Sequence, residues 1–321
     1  MVMTASHIVA HPAFAACVRT QAEALVLTHQ ANPRMATPFA RPQRWLMAQA
    51  VLAAYFRNEA RHAGSGLLLQ HFVDMAVSLN LASRNTAAAF IPEMRKYGIV
   101  NHVAAGEGAR YRRLEPSANT LAMSLQWLDI HLVTLDGLDG GGRSLALRGQ
   151  PARFGAIQPL IAEGLITSRA IRRSIEKCSL STWISDGGIV IDRLIAGCPQ
   201  NAADLERIPT DVISVSSLAR WLNLSRSLLS RKFSAAEAMG NLGWSGGRGQ
   251  SALWVSAEFW RAYHAAQAEK LSIIDAAIAA VISDDLANRN SKTAAACEAN
   301  CHGYDVNERA GPRRASAQFP G

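Results

Sequence analysis

The run Leu79-Asn80-Leu81, followed by Ser83-Arg84, returns later as Leu222-Asn223-Leu224 followed by Ser225-Arg226. From the serine onward the two stretches keep one constant offset. Ala87, Ile91 and Met94 fall on Leu229, Phe233 and Ala236, and Gly98 falls on Gly240. Spacings of four and three place each apolar trio on one face of a helix, and serine is a good helix N-cap. Each helix closes at its glycine. A glycine-rich tip between short apolar runs then follows, Ala105-Gly106-Glu107-Gly108 in the first stretch and Ser245 to Gly249 in the second. This correspondence predicts two units of similar topology in one chain, and no other feature constrains the fold as much.

The face opposite each apolar trio carries the chemistry. In the second helix it reads Arg226, Ser227, Ser230, Arg231 and Ser234. Arginines and small hydroxyls leave nothing bulky to block entry into a major groove, and all can hydrogen-bond phosphates or base edges. The first helix, Ser83 to Tyr97, presents Arg84, Asn85, Ala88, Ala89 and Pro92, with Thr86 beside them. It is less basic, and Pro92 removes one helical hydrogen bond. Its hairpin is the more basic part, with Lys96, His102, Arg110, Arg112 and Arg113. Alternation along a strand puts Arg110 and Arg112 on one side. The second tip carries Arg248.

A helix, a tight turn, a second helix and two strands joined by a glycine tip resemble the winged helix-turn-helix of MarR-like bacterial regulators, here twice over. The resemblance implies a mainly α fold with two small β-hairpin wings, a tandem winged helix-turn-helix forming a pseudo-dimeric internal repeat. It implies a sequence-specific transcriptional regulator on double-stranded DNA. Arg84, Asn85, Thr86, Arg226, Ser227, Ser230 and Arg231 would lie on recognition helices, and Arg110, Arg112, Arg113 and Arg248 on wings. A small-molecule effector between the helices is a further implication, with Trp45, Trp127 and Tyr55 as lining candidates. Plasmid replication initiators also pair two winged helices, and a winged fold can serve protein association alone. The chain would be a monomeric pseudo-dimer, or a homodimer.

Composition agrees with a packed, basic protein. Hydrophobic residues make up 49% and charged residues 18%, with a net charge of +8, which favours a polyanionic partner. No apolar run reaches the roughly 18 residues of a membrane span, and residues 1–20, without an early basic region before an apolar core, are not expected to act as a secretion signal. Five cysteines without paired spacing suit a reducing cytoplasm.

In chain order, a helix is expected over about 7–30, a scaffold helix from Gln43 to His62 and a positioning helix from Leu67 to Leu79. Leu121, Leu125, Leu128, Leu132 and Leu135 form an a/d seam expected to pack on the N-terminal helix, within the chain or between two chains. Residues 1–136 are read as the first unit, 137–151 as a flexible linker, 152–282 as the second unit and 283–321 as a disordered tail. Trp183 to Ala196 matches the scaffold helix, interrupted at Gly187-Gly188. Arg169, Arg172, Arg173 and Lys177 form a basic stripe able to hold phosphates. The helices at 117–136 and 257–282 are expected to join the two units.

No enzyme motif stands out: there is no Walker loop, dinucleotide fingerprint or nucleophile elbow. No metal site is expected from His7 and His11, nor from Cys297, Cys301 and His302, whose spacing fits no finger pattern. No cofactor is expected.

Overall fold

Both Leu-Asn-Leu segments are left-handed turns that end a helix. Asn80 has φ 53° and Asn223 φ 56°, a region asparagine tolerates better than most residues. Leu81 N–H donates back to the Ala76 carbonyl, and Leu224 N–H to that of Ala219, the closing bond of a Schellman cap. Gly98 (φ 70°) and Gly240 (φ 73°) end the next helices in the same way, through Ile99 N–H to Met94 and Asn241 N–H to Ala236.

The structure is a computed structural model that describes residues 2–33, 42–103, 113–172, 180–199 and 202–304. The chain divides into two units, Met1–Ile278 and Ala279–Gly321. It is mainly helical, with two three-stranded antiparallel sheets. The early helices are α1 (Ala5–Ala10), α2 (Phe14–Ala31) and α3 (Pro42–Arg61). Strand β1 (Leu67–Leu68) leads into α4 (Leu69–Ser78) and α5 (Arg84–Lys96), followed by β2 (Val100–Val103), β3 (Arg113–Pro116) and α6 (Ala118–Asp139). After α7 (Arg143–Gly149) come α8 (Phe154–Thr167) and α9 (Leu180–Ala196). Strand β4 (Arg207–Pro209) precedes α10 (Val215–Trp221), α11 (Arg226–Ala238), β5 (Leu242–Trp244), β6 (Leu253–Ser256) and α12 (Ala257–Tyr304).

The sheets run β1-β3-β2 and β4-β6-β5. The expected positioning helix therefore starts later than Leu67, because Leu67 and Leu68 pair with Leu114 and Arg113. In the second sheet, Ile208 and Pro209 likewise pair with Val255 and Trp254. Pro209 sits on an edge strand, where a missing N–H is tolerated. Gly243 is required by packing: a Cβ there would collide with the indole of Trp254.

Residues 137–151 are not a flexible linker. They contain the end of α6 and all of α7, and Arg143 anchors them. Its guanidinium reaches Asp136 (3.2 Å), Asp139 (2.6 Å) and Asp275 (2.8 Å). Nor are the segments on either side separate domains, since both belong to one compact unit. The reason lies in an exchange of partners. The scaffold helix α3 packs on α8 of the second half, while α9 packs on α2 of the first. Phe56 meets Phe154 edge-on at 5.4 Å, Gln158 donates to Gln49 at 2.6 Å and Arg57 pairs with Glu163 at 2.8 Å. These crossed contacts, with the Arg143–Asp275 pair, join the halves.

The leucine seam packs within the chain. Leu128, Leu132 and Leu135 are fully buried, α6 lies on α2, and Gln126 donates to Thr28 at 3.3 Å. Gly187-Gly188 lies inside α9 without interrupting it. The backbone expected as a disordered tail continues as helix to Tyr304; residues 305–321 lie outside the described residues. Among the described residues no helix is long and apolar enough to cross a membrane.

Candidate nucleic-acid interface

Helix α11 is fixed by its ends and its inner face. Ser225 Oγ accepts from Leu228 N–H at 3.4 Å, while Leu229, Phe233 and Ala236 are buried. That placement turns Arg226, Ser227, Ser230, Arg231 and Ser234 outward, and all five are exposed to solvent. Neither Arg226 nor Arg231 has an ion-pair or hydrogen-bond partner among the described residues. Two uncompensated guanidiniums on a helix lined otherwise by serines can donate to phosphate oxygens or base-edge acceptors without first breaking an internal contact.

Helix α5 has the same frame but a different charge state. Ser83 caps it by accepting from Thr86 N–H at 3.3 Å, and Ala87, Ile91 and Met94 are buried. Arg84, Asn85 and Thr86 are exposed. Arg84, however, pairs with Asp74 at 2.8 Å, and the Thr86 hydroxyl shares a 2.9 Å hydrogen bond with Ser83. The Gln70 amide and then Arg84 hold the Asp74 carboxyl below its usual range. The residue in the place of Asp74 in the second half is Ser217, which offers no such charge. Pro92 is accommodated within the helix.

The two sheets differ as well. In the second, Ser251 Oγ accepts from Gly246 N–H (2.9 Å) and donates to the Gly247 carbonyl (3.0 Å), closing a compact tip. Arg248 folds back onto Glu237 at the end of α11. Arg207 lies over the Trp254 ring at 4.8 Å. In the first, Arg113 is exposed and donates to the Gly64 carbonyl at 3.2 Å. Arg110 and Arg112, with the tip at 105–108, lie outside the described residues. So do Arg173 and Lys177 of the basic stripe. Arg172 turns inward, donating to the carbonyls of Ile166 (2.8 Å) and Leu79 (3.2 Å).

The aromatic residues expected around an effector are only partly brought together. Trp45 and Trp127 approach to 6.0 Å between ring centroids. Tyr55 lies ten positions along the same helix from Trp45, about 15 Å away along the axis, and packs on Phe56.

A buried polar set was not foreseen. The His131 ring lies tilted against Trp127 and its Nδ1 is 2.7 Å from the Trp127 carbonyl; His264 stacks on Trp260 and makes the same contact at 2.8 Å. Burial pushes the His264 imidazole down to about 4 and holds His131 well below its ordinary range, helped by the Lys270 charge. The readable signal was Trp-x3-His in the helix after each sheet. Nearby, Gln21 and Lys270 both donate to Gln267 at 3.0 Å, and Tyr263 donates to Asp192 at 2.7 Å.

Among the described residues no three His, Cys, Asp or Glu side chains are grouped to hold a metal ion. No protein-family model, curated protein or solved structure matches this chain, so what its surface does has to be read from its own residues.

Proposed function

We propose that the chain is a sequence-specific regulator of transcription that binds double-stranded DNA through two winged helix-turn-helix copies. The observation that carries this reading is the outer face of α11: serines and two arginines, the latter without partners among the described residues, on a helix held rigidly from behind. Supporting it are the shared strand order of the two sheets, the matching left-handed turns and the net charge of +8. In this reading α11 enters a major groove and supplies base contacts. Helix α5, its arginine already paired, presents Asn85 and Thr86 with Arg84 as a weaker reader. Arg113, and Arg110 and Arg112 with it, hold the backbone. The halves act as a fused pseudo-dimer on one duplex.

The test is selection from a random duplex library by the full chain, followed by affinity measurements over a range of salt. An enriched sequence pattern, with log Kd rising linearly against log salt at a slope set by the number of phosphate contacts, is the expected outcome. Absence of binding even at low salt would reassign the outer face of α11 to a protein partner.

A further inference from the structure

Each helix-turn-helix turn is gripped by a side chain from the opposite half. Leu79 and Leu222 close α4 and α10, and their carbonyls are among the acceptors that a helix end leaves without an internal partner. The Leu79 carbonyl accepts from Arg172 Nη2 at 3.2 Å. The Leu222 carbonyl faces His29 Nε2 at 3.4 Å. Arg172 belongs to the second half and His29 to the first, so the two contacts cross. Both are partly buried, and the 2.8 Å bond from Arg172 Nε to Ile166 leaves its guanidinium little freedom to swing away. A cationic or N–H donor at a helix C-terminus also meets the negative end of the helix dipole.

A donor from within the same half would satisfy these carbonyls equally well. Taking it from the other half, beside the exchanged packing of α3 on α8 and α9 on α2, makes the setting of each turn depend on where the opposite half sits. Each turn in turn sets the angle of its reading helix. We infer that His29 and Arg172 are positioning residues that fix the separation of the two DNA-contacting helices, and with it the spacing of the two contact patches on a duplex. This rests on the DNA-binding reading above.

Two measurements on the full chain test it. The first is hydrogen exchange, which needs no DNA. Arg172→Ala should speed exchange at Asn80 and Leu81 roughly tenfold, the expected effect of losing a charge-assisted bond, and leave Asn223 and Leu224 unchanged. His29→Ala should do the reverse, more weakly. Equal changes at both turns, or none, would overturn the clamp whether or not DNA is bound. The second is hydroxyl-radical footprinting on the selected duplex. The wild-type protein should protect two sharp patches. Arg172→Ala should keep the patch set by α11 sharp and blur the other, whereas a merely structural loss would weaken both together. Two patches that stay sharp, patches that fade in parallel, or a single wild-type patch would each overturn the positioning role. Failure of the wild-type chain to select any duplex would instead sink the DNA reading, with the exchange result still deciding the clamp. His29→Ala, at the longer contact, is the second variant if Arg172→Ala fails to fold.

Discussion

Arg143 Nε donates to Asp275 at 2.8 Å, bridging α7 and α12 across 132 positions of sequence. Both side chains are largely buried, at 13% and 5% exposure. Asp275 also accepts from Met3 N–H at 2.7 Å, so this one carboxylate holds the chain's start, middle and last helix together. Removing one partner of a buried pair typically costs about 3–5 kcal/mol, because the other charge is left without compensation. Arg143→Ala should lose stability of that order in denaturant unfolding, while Arg143→Lys should lose less.

Arg226 and Arg231 give the sharpest test of base reading. A bidentate arginine–guanine contact supplies about 1–3 kcal/mol of discrimination. Arg226→Ala and Arg231→Ala should each flatten the preference between the selected site and a mutated one, measured by competition. Replacement of Arg110 and Arg112 should weaken binding to all sequences alike and lower the log–log salt slope by about one unit for each phosphate no longer neutralised. Variants of α11 that keep full site preference would remove it as the reading helix.

His264 should make the fold sensitive to acid. Its folded pKa is lowered from 6.5 to about 4, so the unfolded chain takes up a proton first as pH falls. Its contribution is complete above about pH 6.5 and is lost progressively as pH drops to about 4, by up to about 3 kcal/mol. His264→Phe keeps an aromatic ring against Phe14 and Trp260 but cannot titrate. Its acid-unfolding midpoint should therefore lie at lower pH than that of the wild type, as read by circular dichroism.

Asn223 holds φ 56° without help from a glycine. Asn223→Val forces a β-branched residue into that region and should cost about 1–2 kcal/mol, whereas Asn223→Gly should be close to neutral. Thermal unfolding of the two variants separates them.

The parts of this molecule legible in the sequence were those decided within a few residues. The serine caps, the glycine ends and the buried faces of α5 and α11 each follow from local chemistry and a helical period. The parts that were not legible depend on which partner an apolar face finds. The broad face of α3 was readable, but nothing in its pattern says that it meets Phe154 and not the first half's own α2. The glycines at 140–142 suggested a hinge, and nothing local showed that Asp275, 132 positions further on, would help hold Arg143 and the segment in place. Whether Arg84 or Arg226 carries an available charge was equally hidden, since it turns on which acid the fold brings within reach, as it brings Asp74 to 2.8 Å from Arg84.

The exchange of α3 and α9 between halves also sets a timetable for synthesis. When α3 leaves the ribosome, its partner α8 lies on the order of a hundred residues further along the chain. At about 5–20 residues per second, that leaves an apolar helix waiting roughly 5–20 s for its cover. During that interval the nascent first half exposes the face it will later bury. Exposed apolar surface of this kind is what chaperones bind and what aggregates, so the delay makes the half-made chain the vulnerable species.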